Sequence, residues 1–552
     1  MSFLGIDLGT GSLKAAVVDE HGREQAVSSV AYAFDTPRAG WAEIAVETWW
    51  NALVEALARL PRHLRDDVRA IGLSGQMHGV VLLDAHGEPV RPALLWPDSR
   101  ALDLLDAWPE PQPNPVAPGM AGPLLRWIVL HEPQTARRTR WAVQPKDWLR
   151  VALGGAFATD PSDACATALA SPAGVWDAAL LKRLGIPRDW FAPLAPSYAA
   201  AGVLSQRAAQ ALGLRAGIVL ATGAADTPCA ALGSGLAQDG DALLTTGTGG
   251  QIIVLASGEP VAVKGLHRYR AASDHWYRMA AMQNVGIALE RVRGWLSYEW
   301  VDAYREAFGD AVADVSGAVS GGAANGKSAG SVSGASGEPM SAVSSASFGA
   351  SADTPTGADL GADSNAALSA APTRTTRPAT HGESRASSGL TFLPYLTGER
   401  TPWLNPQARG GWLGLSLEHT RGAMMRAAFE GVAFSLRAGL DAVRSSGATV
   451  TALKLAGGGS VDPRWRQLLA DALDVELHAV DCPNAAPRGA AILGGLASGH
   501  WHARDLAALA PGATRVAGPR GDAALAERYA RFVDLYGRVE PWFGGTTQRE
   551  AR

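Results

Sequence analysis

The stretch that decides the fold is Gly5-Ile6-Asp7-Leu8-Gly9-Thr10-Gly11-Ser12-Leu13-Lys14. An apolar strand leads into a Gly-Thr-Gly turn, and residues 13–18 are predicted to return as a second strand. Glycines at a turn let backbone amides approach an anion, and the hydroxyls of Thr10 and Ser12 add donors. Asp7 ends the first strand, where a carboxylate beside a phosphate indicates a divalent cation between them. The alternative is a β-hairpin whose glycines only satisfy turn geometry.

The same pattern of strand, Gly-Thr-Gly and strand recurs at residues 242–254, with Gly247, Thr248 and Gly249 at the turn. Recurrence at domain-sized spacing predicts two like domains that face each other and hold one polyphosphate between them. A third glycine cluster, Gly457-Gly458-Gly459, follows a predicted strand at 453–455 and precedes a helix from about Pro463. This third loop suits a nucleotide, through either its phosphates or its base and ribose.

The N-terminal region mixes hairpins with helices, which excludes a purely parallel doubly wound sheet. Apolar residues at helical spacing predict an amphipathic helix over residues 46–60, and short strands are predicted at 70–74 and 80–83. Residues 218–221 form another predicted strand, and Thr227-Pro228 open an Ala-rich helix after it. Asp226 lies just before that opening, so capping of the helix is one interpretation of this residue.

The composition describes a globular chain of two substantial domains: 552 residues, 47% apolar and 18% charged. A net charge of −4 gives no reason to expect nucleic acid or an anionic membrane as a partner. The three cysteines (Cys165, Cys229 and Cys482) fit neither a disulfide framework nor a zinc motif, so we expect a reducing, cytoplasmic compartment. The N-terminus lacks a signal-peptide pattern, and no apolar run is long enough for a membrane span.

Residues 311–388 are mostly Ala, Ser, Gly, Thr and Asp, and we predict a disordered insertion there because few side chains could be buried. Residues 321–328 match the Walker A pattern, but no strand precedes them and no helix follows, so we assign the match no function. The predicted domains are therefore 1–240, and 241–310 together with 389–505, followed by a helical tail at 506–552.

Taken together, the motifs resemble those of the FGGY carbohydrate kinases in the actin-like ATPase superfamily, and most closely the xylulokinases. The resemblance covers residues 3 to about 540 apart from the insertion. It implies an α/β fold of two ribonuclease-H-like domains with the catalytic cleft between them. The motifs that carry it are Gly5-Ile6-Asp7-Leu8-Gly9-Thr10, Gly75-Gln76-Met77-His78-Gly79, Leu95-Trp96-Pro97-Asp98, Pro145-Lys146-Asp147-Trp148, Gly223-Ala224-Ala225-Asp226, Gly247-Thr248-Gly249, Gly398-Glu399-Arg400-Thr401-Pro402 and Ala456-Gly457-Gly458-Gly459.

The resemblance also implies a reaction, the ATP-dependent phosphorylation of D-xylulose to D-xylulose 5-phosphate. Asp226 would be the general base for the attacking hydroxyl, and we expect it to be ionised with an ordinary carboxylate pKa. Asp7 would hold Mg²⁺ through waters. The phosphates would be bound by Gly9, Thr10, Gly11 and Ser12 from one side and by Gly247, Thr248 and Gly249 from the other. Gly457, Gly458 and Gly459 would contact the adenosine portion.

Gln76, Met77 and His78 would line the sugar site, although a lone histidine at a strand end is more often structural. Trp96 would offer the sugar a flat apolar face, with a buried core role as the alternative. Lys14 could add charge at the phosphates or could be solvated. Asp98, Lys146 and Asp147 are weaker candidates, for hydrogen bonding or domain packing, and Cys229 is expected to be a small buried residue.

Three rival functions remain open from sequence. A sibling kinase would act on ribulose, another ketose or a polyol. A nucleotide-switched chaperone or filament protein could share the superfold. A catalytically inactive sugar sensor is less favoured because Asp7 and Asp226 are both present. The partners expected are a ketopentose and ATP, with the chain acting as a monomer or homodimer.

Overall fold

The computed structural model describes residues 1–110, 112–309 and 389–544. The predicted insertion at 311–388 and its Walker A-like run therefore lie outside the described residues. The strands of the N-terminal half are β1 (Ser2–Leu8), β2 (Ser12–Asp19), β3 (Glu24–Ala31), β4 (Glu43–Ile44), β5 (Val68–Gly75), β6 (Val81–Leu83), β7 (Ala93–Leu94), β8 (Trp141–Val143), β9 (Ala200–Val203), β10 (Val219–Ala221) and β11 (Ala224–Ala225). Those of the C-terminal half are β12 (Ala242–Thr246), β13 (Gly250–Ala256), β14 (His267–Arg270), β15 (Trp276–Met282), β16 (Thr391–Leu393), β17 (Gly411–Leu413), β18 (Ala452–Ala456), β19 (Glu476–Val480) and β20 (Ala513–Ala517).

Two mixed sheets of seven strands each organise the chain. The first has the order β3-β2-β1-β5-β10-β9, with β11 also pairing with β5, and the second has the order β14-β15-β13-β12-β18-β19-β20. In each sheet a hairpin (β1–β2 or β12–β13) is antiparallel, and its first strand pairs in parallel with a later strand (β5 or β18). The predicted α/β architecture of two like halves, each opening on a Gly-Thr-Gly hairpin, is confirmed.

The described residues also form fifteen α-helices. They are α1 (Val46–Arg59), α2 (Arg62–Asp66), α3 (Ala121–His131), α4 (Pro133–Arg138), α5 (Pro145–Leu153), α6 (Pro161–Ala164), α7 (Ala178–Leu184), α8 (Gln206–Leu212), α9 (Asp226–Gly233), α10 (Gly286–Trp295), α11 (Trp300–Phe308), α12 (Arg421–Ser445), α13 (Pro463–Leu473), α14 (Ala485–Ala497) and α15 (Ala523–Phe543). None of them is long and apolar enough to cross a membrane.

The predicted amphipathic helix is α1, and its apolar face packs on the first sheet. Trp49 and Leu53 on that face are fully buried beside Ile6 and Leu13 of the hairpin. Trp49 therefore belongs to the core, as the spacing predicts, whereas Trp50 is only half-buried. Burial of such side chains stabilises the fold by about 2 to 3 kcal/mol each.

Helix α14 follows the second sheet in sequence but packs against the first. The packing is backbone to backbone, because a Cβ atom at Gly5 of β1 would lie 1.7 Å from the Pro487 carbonyl oxygen. On the other side of α14, a Cβ atom at Gly233 of α9 would lie 1.9 Å from the Ala485 carbonyl oxygen. Part of the segment 389–505, assigned from sequence to the C-terminal domain, thus completes the core of the N-terminal half.

The segment after residue 505 is more than a helical tail. Strand β20 pairs antiparallel with β19 and forms the edge of the second sheet. Helix α15 packs its Phe532 and Tyr536 side chains, both fully buried, into the C-terminal core. Helix α15 agrees with the helical segment predicted here. Strand β20 was not predicted, and it is identified by its pairing with β19.

Candidate active site

The strand register brings three polar residues together at the carboxyl edge of the first sheet. Asp7 on β1 is directly opposite Ser74 on β5, and Ala225 on β11 is opposite Gly75 of the same strand. Asp226 follows Ala225 immediately, so both aspartates reach the same edge. The Ser74 hydroxyl donates a hydrogen bond of 2.6 Å to Asp7 Oδ1. The carboxylates of Asp7 and Asp226 are therefore neighbours in space although they are far apart in sequence.

Asp226 occupies the first turn of α9 and not its cap. The N-cap residue is Ala225, which makes no side-chain cap, so the capping interpretation is wrong. The Asp226 carboxylate instead accepts hydrogen bonds from the backbone N–H of Thr227 at 2.5 Å and from its hydroxyl at 3.1 Å.

Burial, together with the negative charge of Asp7, raises the pKa of Asp226 to about 7. The expectation of an ordinary carboxylate pKa is therefore wrong. Burial also raises the pKa of Asp7, against the hydrogen bond from Ser74 and the positive charge of Lys14. Two adjacent carboxyl groups repel each other when both are ionised. A cation bound between them would reduce this repulsion.

The first Gly-Thr-Gly turn is held by side chains from three other elements. Gly9 closes the turn with a 3.0 Å hydrogen bond from its N–H to the Ser12 carbonyl. The Gly9 carbonyl accepts from the Tyr32 hydroxyl at 2.6 Å and from Gln76 Nε2 at 3.3 Å. Tyr32 was not among the predicted site residues, because nothing in its local sequence indicates that it reaches this turn.

Trp96 and Gln76, both predicted to contact the sugar, also contact the first turn. Trp96 Nε1 donates a 2.7 Å hydrogen bond to the hydroxyl of Thr10, which itself lies 3.4 Å from Gln76 Oε1. Trp96 is 44% exposed, so the alternative of a buried core residue is wrong. The Trp96 ring therefore contacts the first turn through its N–H, and its exposed part is accessible to a ligand.

The second turn and the third glycine loop form one continuous edge of the second sheet. Strands β12 and β18 run parallel, so their carboxyl ends meet, and the Gly459 N–H donates to the Thr246 carbonyl at 3.3 Å. Gly457 adopts φ +95° beside that carbonyl, where a Cβ atom would lie 2.3 Å away, so glycine is required. Gly247, Thr248 and Gly457–Gly459 are exposed at this edge.

His78 and Met77 lie where the two halves meet. Burial lowers the pKa of His78 to about 4, so its ring is neutral, and its Nδ1 is 2.8 Å from the Ala166 carbonyl. Met77 belongs to an apolar cluster that includes Ala225 of the first half and Tyr269 of the second. Met77 and His78 are thus placed where the two halves meet, whereas Gln76 and Trp96 lie at the first turn.

Lys146 and Asp147 belong to a buried ionic cluster behind this wall. Lys146 Nζ lies 2.7 Å from Asp147, 3.0 Å from Asp160 and 3.0 Å from Asp163, and all four side chains are at most 1% exposed. The three carboxylates raise the pKa of Lys146, and burial raises that of Asp163 well above its usual range. This cluster is enclosed within the protein and joins α5 to α6 and to Asp160, the N-cap residue of α6.

A short hydrogen-bonded path joins the ionic cluster to the residue before Asp226. Asp160 accepts a 2.5 Å hydrogen bond from the Ser162 hydroxyl, which accepts in turn from the Ala225 N–H at 3.2 Å. The backbone of Ala225, the residue before Asp226, is thereby held in place.

Asp98 also has a packing role, since it binds the guanidinium of Arg100 and the backbone N–H of Ala42. Cys229 is fully buried, as predicted.

A cavity of about 850 Å³ lies away from this edge, lined by residues 20–24, 481–483 and 508–512 among others. It adjoins the turn between β2 and β3, which is the end of the sheet opposite to Asp7. The cleft at the carboxyl edge, and not this cavity, holds the residues with reactive chemistry.

Comparisons with known proteins agree with this geometry. Models of the FGGY family of carbohydrate kinases match residues 2–233 as its N-terminal domain and residues 242–498 as its C-terminal domain. The xylulose kinase of Escherichia coli (strain K12) is 30% identical over 483 residues, which cover 85% of this chain and 84% of that protein. The xylulose kinase of Bacillus subtilis (strain 168) is 27% identical, and the match covers 97% and 96%.

Solved structures show the same fold along nearly the whole chain. The crystal structure of a xyloylose kinase from Brucella ovis has a TM-score of 0.79 at 28% identity and covers 98% of this chain and 100% of that one. A glycerol kinase from Plasmodium falciparum, solved with ADP, has a TM-score of 0.77 at 17% identity and covers 98% of each chain, which supports the fold alone. Two domain models in succession, with these relatives, show that the chain belongs to the FGGY family of carbohydrate kinases and is a sugar kinase.

Proposed function

We propose that the protein transfers the γ-phosphoryl group of ATP to O5 of D-xylulose, giving D-xylulose 5-phosphate and ADP. The observation that carries this proposal is the pair of adjacent carboxyl groups, Asp7 and Asp226, at the sheet edge that bears the first phosphate turn. The names of the E. coli and B. subtilis relatives favour xylulose as the sugar.

Asp226 acts as the general base in this proposal. With a pKa of about 7 it can accept a proton at neutral pH, and burial excludes bulk water that would compete for that proton. The sugar hydroxyl loses its proton to the Asp226 carboxylate as the new O–P bond forms and the bond from the γ-phosphorus to ADP breaks. The hydrogen bonds from Thr227 hold the carboxylate in one orientation for this transfer.

Mg²⁺ fits the residues at Asp7. One oxygen of this carboxylate is occupied by Ser74, and a bound cation would offset the negative charge of Asp7, which contributes to the raised pKa of Asp226. Within residues 1–110, 112–309 and 389–544 no group of three or more metal-binding side chains occurs. A Mg²⁺ ion bound at Asp7 would therefore rely on water and on the phosphates of ATP. When bound, it would neutralise charge on the transferring phosphoryl group.

The three glycine loops hold the nucleotide in this proposal. Gly9, Thr10, Gly11 and Ser12 face the phosphates from the first sheet, with Lys14 adding charge, while Gly247, Thr248 and Gly249 face them from the second. The exposed loop Gly457-Gly458-Gly459 adjoins the second turn through Thr246, so the adenosine can continue along the same edge.

The sugar lies against His78, Met77, Gln76 and Trp96. His78 is neutral and one ring nitrogen is already bound by Ala166, so the other can exchange a hydrogen bond with a sugar hydroxyl. Trp96 presents a partly exposed ring beside Thr10. The three free thiols agree with a reducing cytoplasm, and we propose a monomer or homodimer whose halves divide near residue 240, with α14 packed on the first sheet.

A coupled ADP-release assay tests the proposal with D-xylulose, L-xylulose, D-ribulose, L-ribulose, glycerol and no sugar. The expected result is the highest kcat/KM with D-xylulose. Preference for ribulose or a polyol would identify a sibling kinase, and no stimulation by any sugar would refute catalysis. Asp226→Ala should lower kcat by at least about a hundredfold and keep ADP affinity within about twofold, since the base acts only in transfer. Turnover at the wild-type rate would reject Asp226 as the base.

A further inference from the structure

The short segment 399–401 is pinned to the second sheet on both sides of one exposed arginine. Glu399 Oε1 accepts hydrogen bonds from the backbone N–H of Gln283 at 2.7 Å and of Arg400 at 2.8 Å. The Thr401 hydroxyl accepts from the Ala281 N–H at 3.0 Å. Glu399 and Thr401 are 2% and 0% exposed, whereas Arg400 between them is exposed. The backbone carrying Arg400 is therefore rigid while its guanidinium faces outward.

This segment adjoins the second phosphate turn. Strand β15 ends at Met282, which is opposite Gly250 in the register, and a Cβ atom at Gly249 would lie 2.7 Å from the Met282 carbonyl oxygen. Gln283, which Glu399 binds, is the next residue in the chain. Arg400 is thus one strand away from the loop that faces the phosphates.

The same arginine lies close to the sugar side of the cleft. Its positive charge contributes to lowering the pKa of His78 in the first half and of His267 in the second. The backbone provides the geometric link, since the Thr401 hydroxyl donates to the Gly265 carbonyl at 2.6 Å, two residues before His267 at the start of β14. Arg400 therefore lies beside the segment that leads into β14, and Tyr269 of that strand belongs to the same apolar cluster as Met77 of the first half.

The guanidinium has no partner of its own among the residues that the structure describes. No side-chain hydrogen bond or ion pair joins it to a carboxylate there, and the nearby Glu399 carboxylate is occupied by backbone amides. By contrast, Arg100 and Arg150, which lie behind the site, are both bound to aspartates. A free, planar cation beside a phosphate loop is suited to a bidentate contact with a phosphoryl group.

We propose that Arg400 contacts the transferred phosphoryl group, first as the γ-phosphate of ATP and then as the phosphate of the sugar product. This inference rests on the proposed kinase reaction. The new bond joins the sugar oxygen to phosphorus, the bond to ADP breaks, and the hydroxyl proton goes to Asp226. The guanidinium stays protonated throughout and stabilises charge on the phosphoryl oxygens. Arg400 also links the chemistry to the second half of the chain, since the base comes from the first.

The test compares Arg400→Gln and Arg400→Lys with a matched control, Arg409→Gln. Arg409 is an exposed arginine nine positions further along, and its guanidinium binds the carbonyls of Pro406 and Ala408 in its own loop. Arg400→Gln should lower kcat by about a hundredfold or more, with KM for the sugar within about threefold. Arg400→Lys should recover part of the loss, and Arg409→Gln should match the wild type. A kcat within threefold of the wild type for Arg400→Gln overturns the inference.

Nucleotide binding separates this inference from the proposed function. In the presence of Mg²⁺, Arg400→Gln should weaken binding of a non-hydrolysable ATP analogue by about tenfold and leave ADP binding unchanged, because only the analogue has a γ-phosphate. Equal affinities for both ligands in variant and wild type would refute the contact even if no sugar were phosphorylated. Equal weakening for both would refute it too, since a γ-phosphate contact cannot act on ADP.

Discussion

Replacing Asp226 by Asn should stabilise the ligand-free protein increasingly as the pH rises. At pH values well below 3.8 the carboxyl group is protonated in the folded and the unfolded chain alike, so it does not change the free energy of unfolding. Between pH 4 and 7 the unfolded chain loses this proton and the buried group keeps it. The wild type therefore loses stability across this range, and above pH 7 the loss is complete.

The magnitude follows from the pKa of Asp226, which rises from an ordinary 3.8 to about 7. At 1.36 kcal/mol for each pH unit, this difference costs the folded wild type about 4 kcal/mol at pH 8 and about 2 kcal/mol at pH 5.5. Asn has nearly the same shape and carries no charge at any of these values. The stability gained by Asp226→Asn should thus grow by about 4 kcal/mol between pH 4 and pH 8.

Urea denaturation followed by tryptophan fluorescence, with EDTA present, measures this gain at pH 4, 5.5 and 8. The matched control is Asp66→Asn, since the Asp66 side chain is 60% exposed and its nearest cation, Arg62, is 3.6 Å away. Such a surface pair contributes little at any pH. A gain for Asp226→Asn that does not change with pH would refute the reasoning. In an Asp7→Asn background the gain should shrink, because the charge of Asp7 contributes to the raised pKa.

Three further outcomes follow from the packing and the buried charges. Gly5→Ala should lower the free energy of unfolding by at least about 3 kcal/mol, measured by urea denaturation, while Gly258→Ala, in open space, should be nearly neutral. Lys146→Met should cost about 3 to 5 kcal/mol in the same assay and Arg538→Met should be nearly neutral, because only Lys146 leaves buried carboxylates unpaired. Burial raises the pKa of Cys482 to about 11, so at pH 8 this thiol should react with a disulfide reagent at least about tenfold more slowly in the native protein than in urea.

Much of the fold can be predicted from local sequence patterns. The Gly-Thr-Gly turns at residues 9–11 and 247–249 each join two strands, and their recurrence predicts two like halves. Helix α1 was predicted within one residue because its apolar spacing already defines a buried face. Local patterns succeed here because turn conformation and amphipathic periodicity depend on neighbouring residues alone.

Two features could not be predicted in this way: the packing of α14 on the first sheet, and the hydrogen bond from Tyr32 that holds the first turn. Helix α14 packs on a sheet whose first strand begins nearly five hundred residues earlier. Tyr32 reaches Gly9 only because β3 pairs with β2 in one particular register. Such contacts depend on how whole elements stack, and no short stretch of sequence contains that information.

The sequence by itself determined the candidate residues of this site. They are Asp7 and Asp226 at strand ends, the three glycine loops, and His78. The tertiary structure decided how they differ. Burial beside Asp7, and not the residue type, gives Asp226 a pKa near 7. The hydrogen bonds of Glu399 and Thr401 to the end of β15 and to Gln283 leave the Arg400 side chain exposed beside the second turn. Electrostatics and access both depend on what surrounds a side chain in space, and only the folded chain brings those surroundings together.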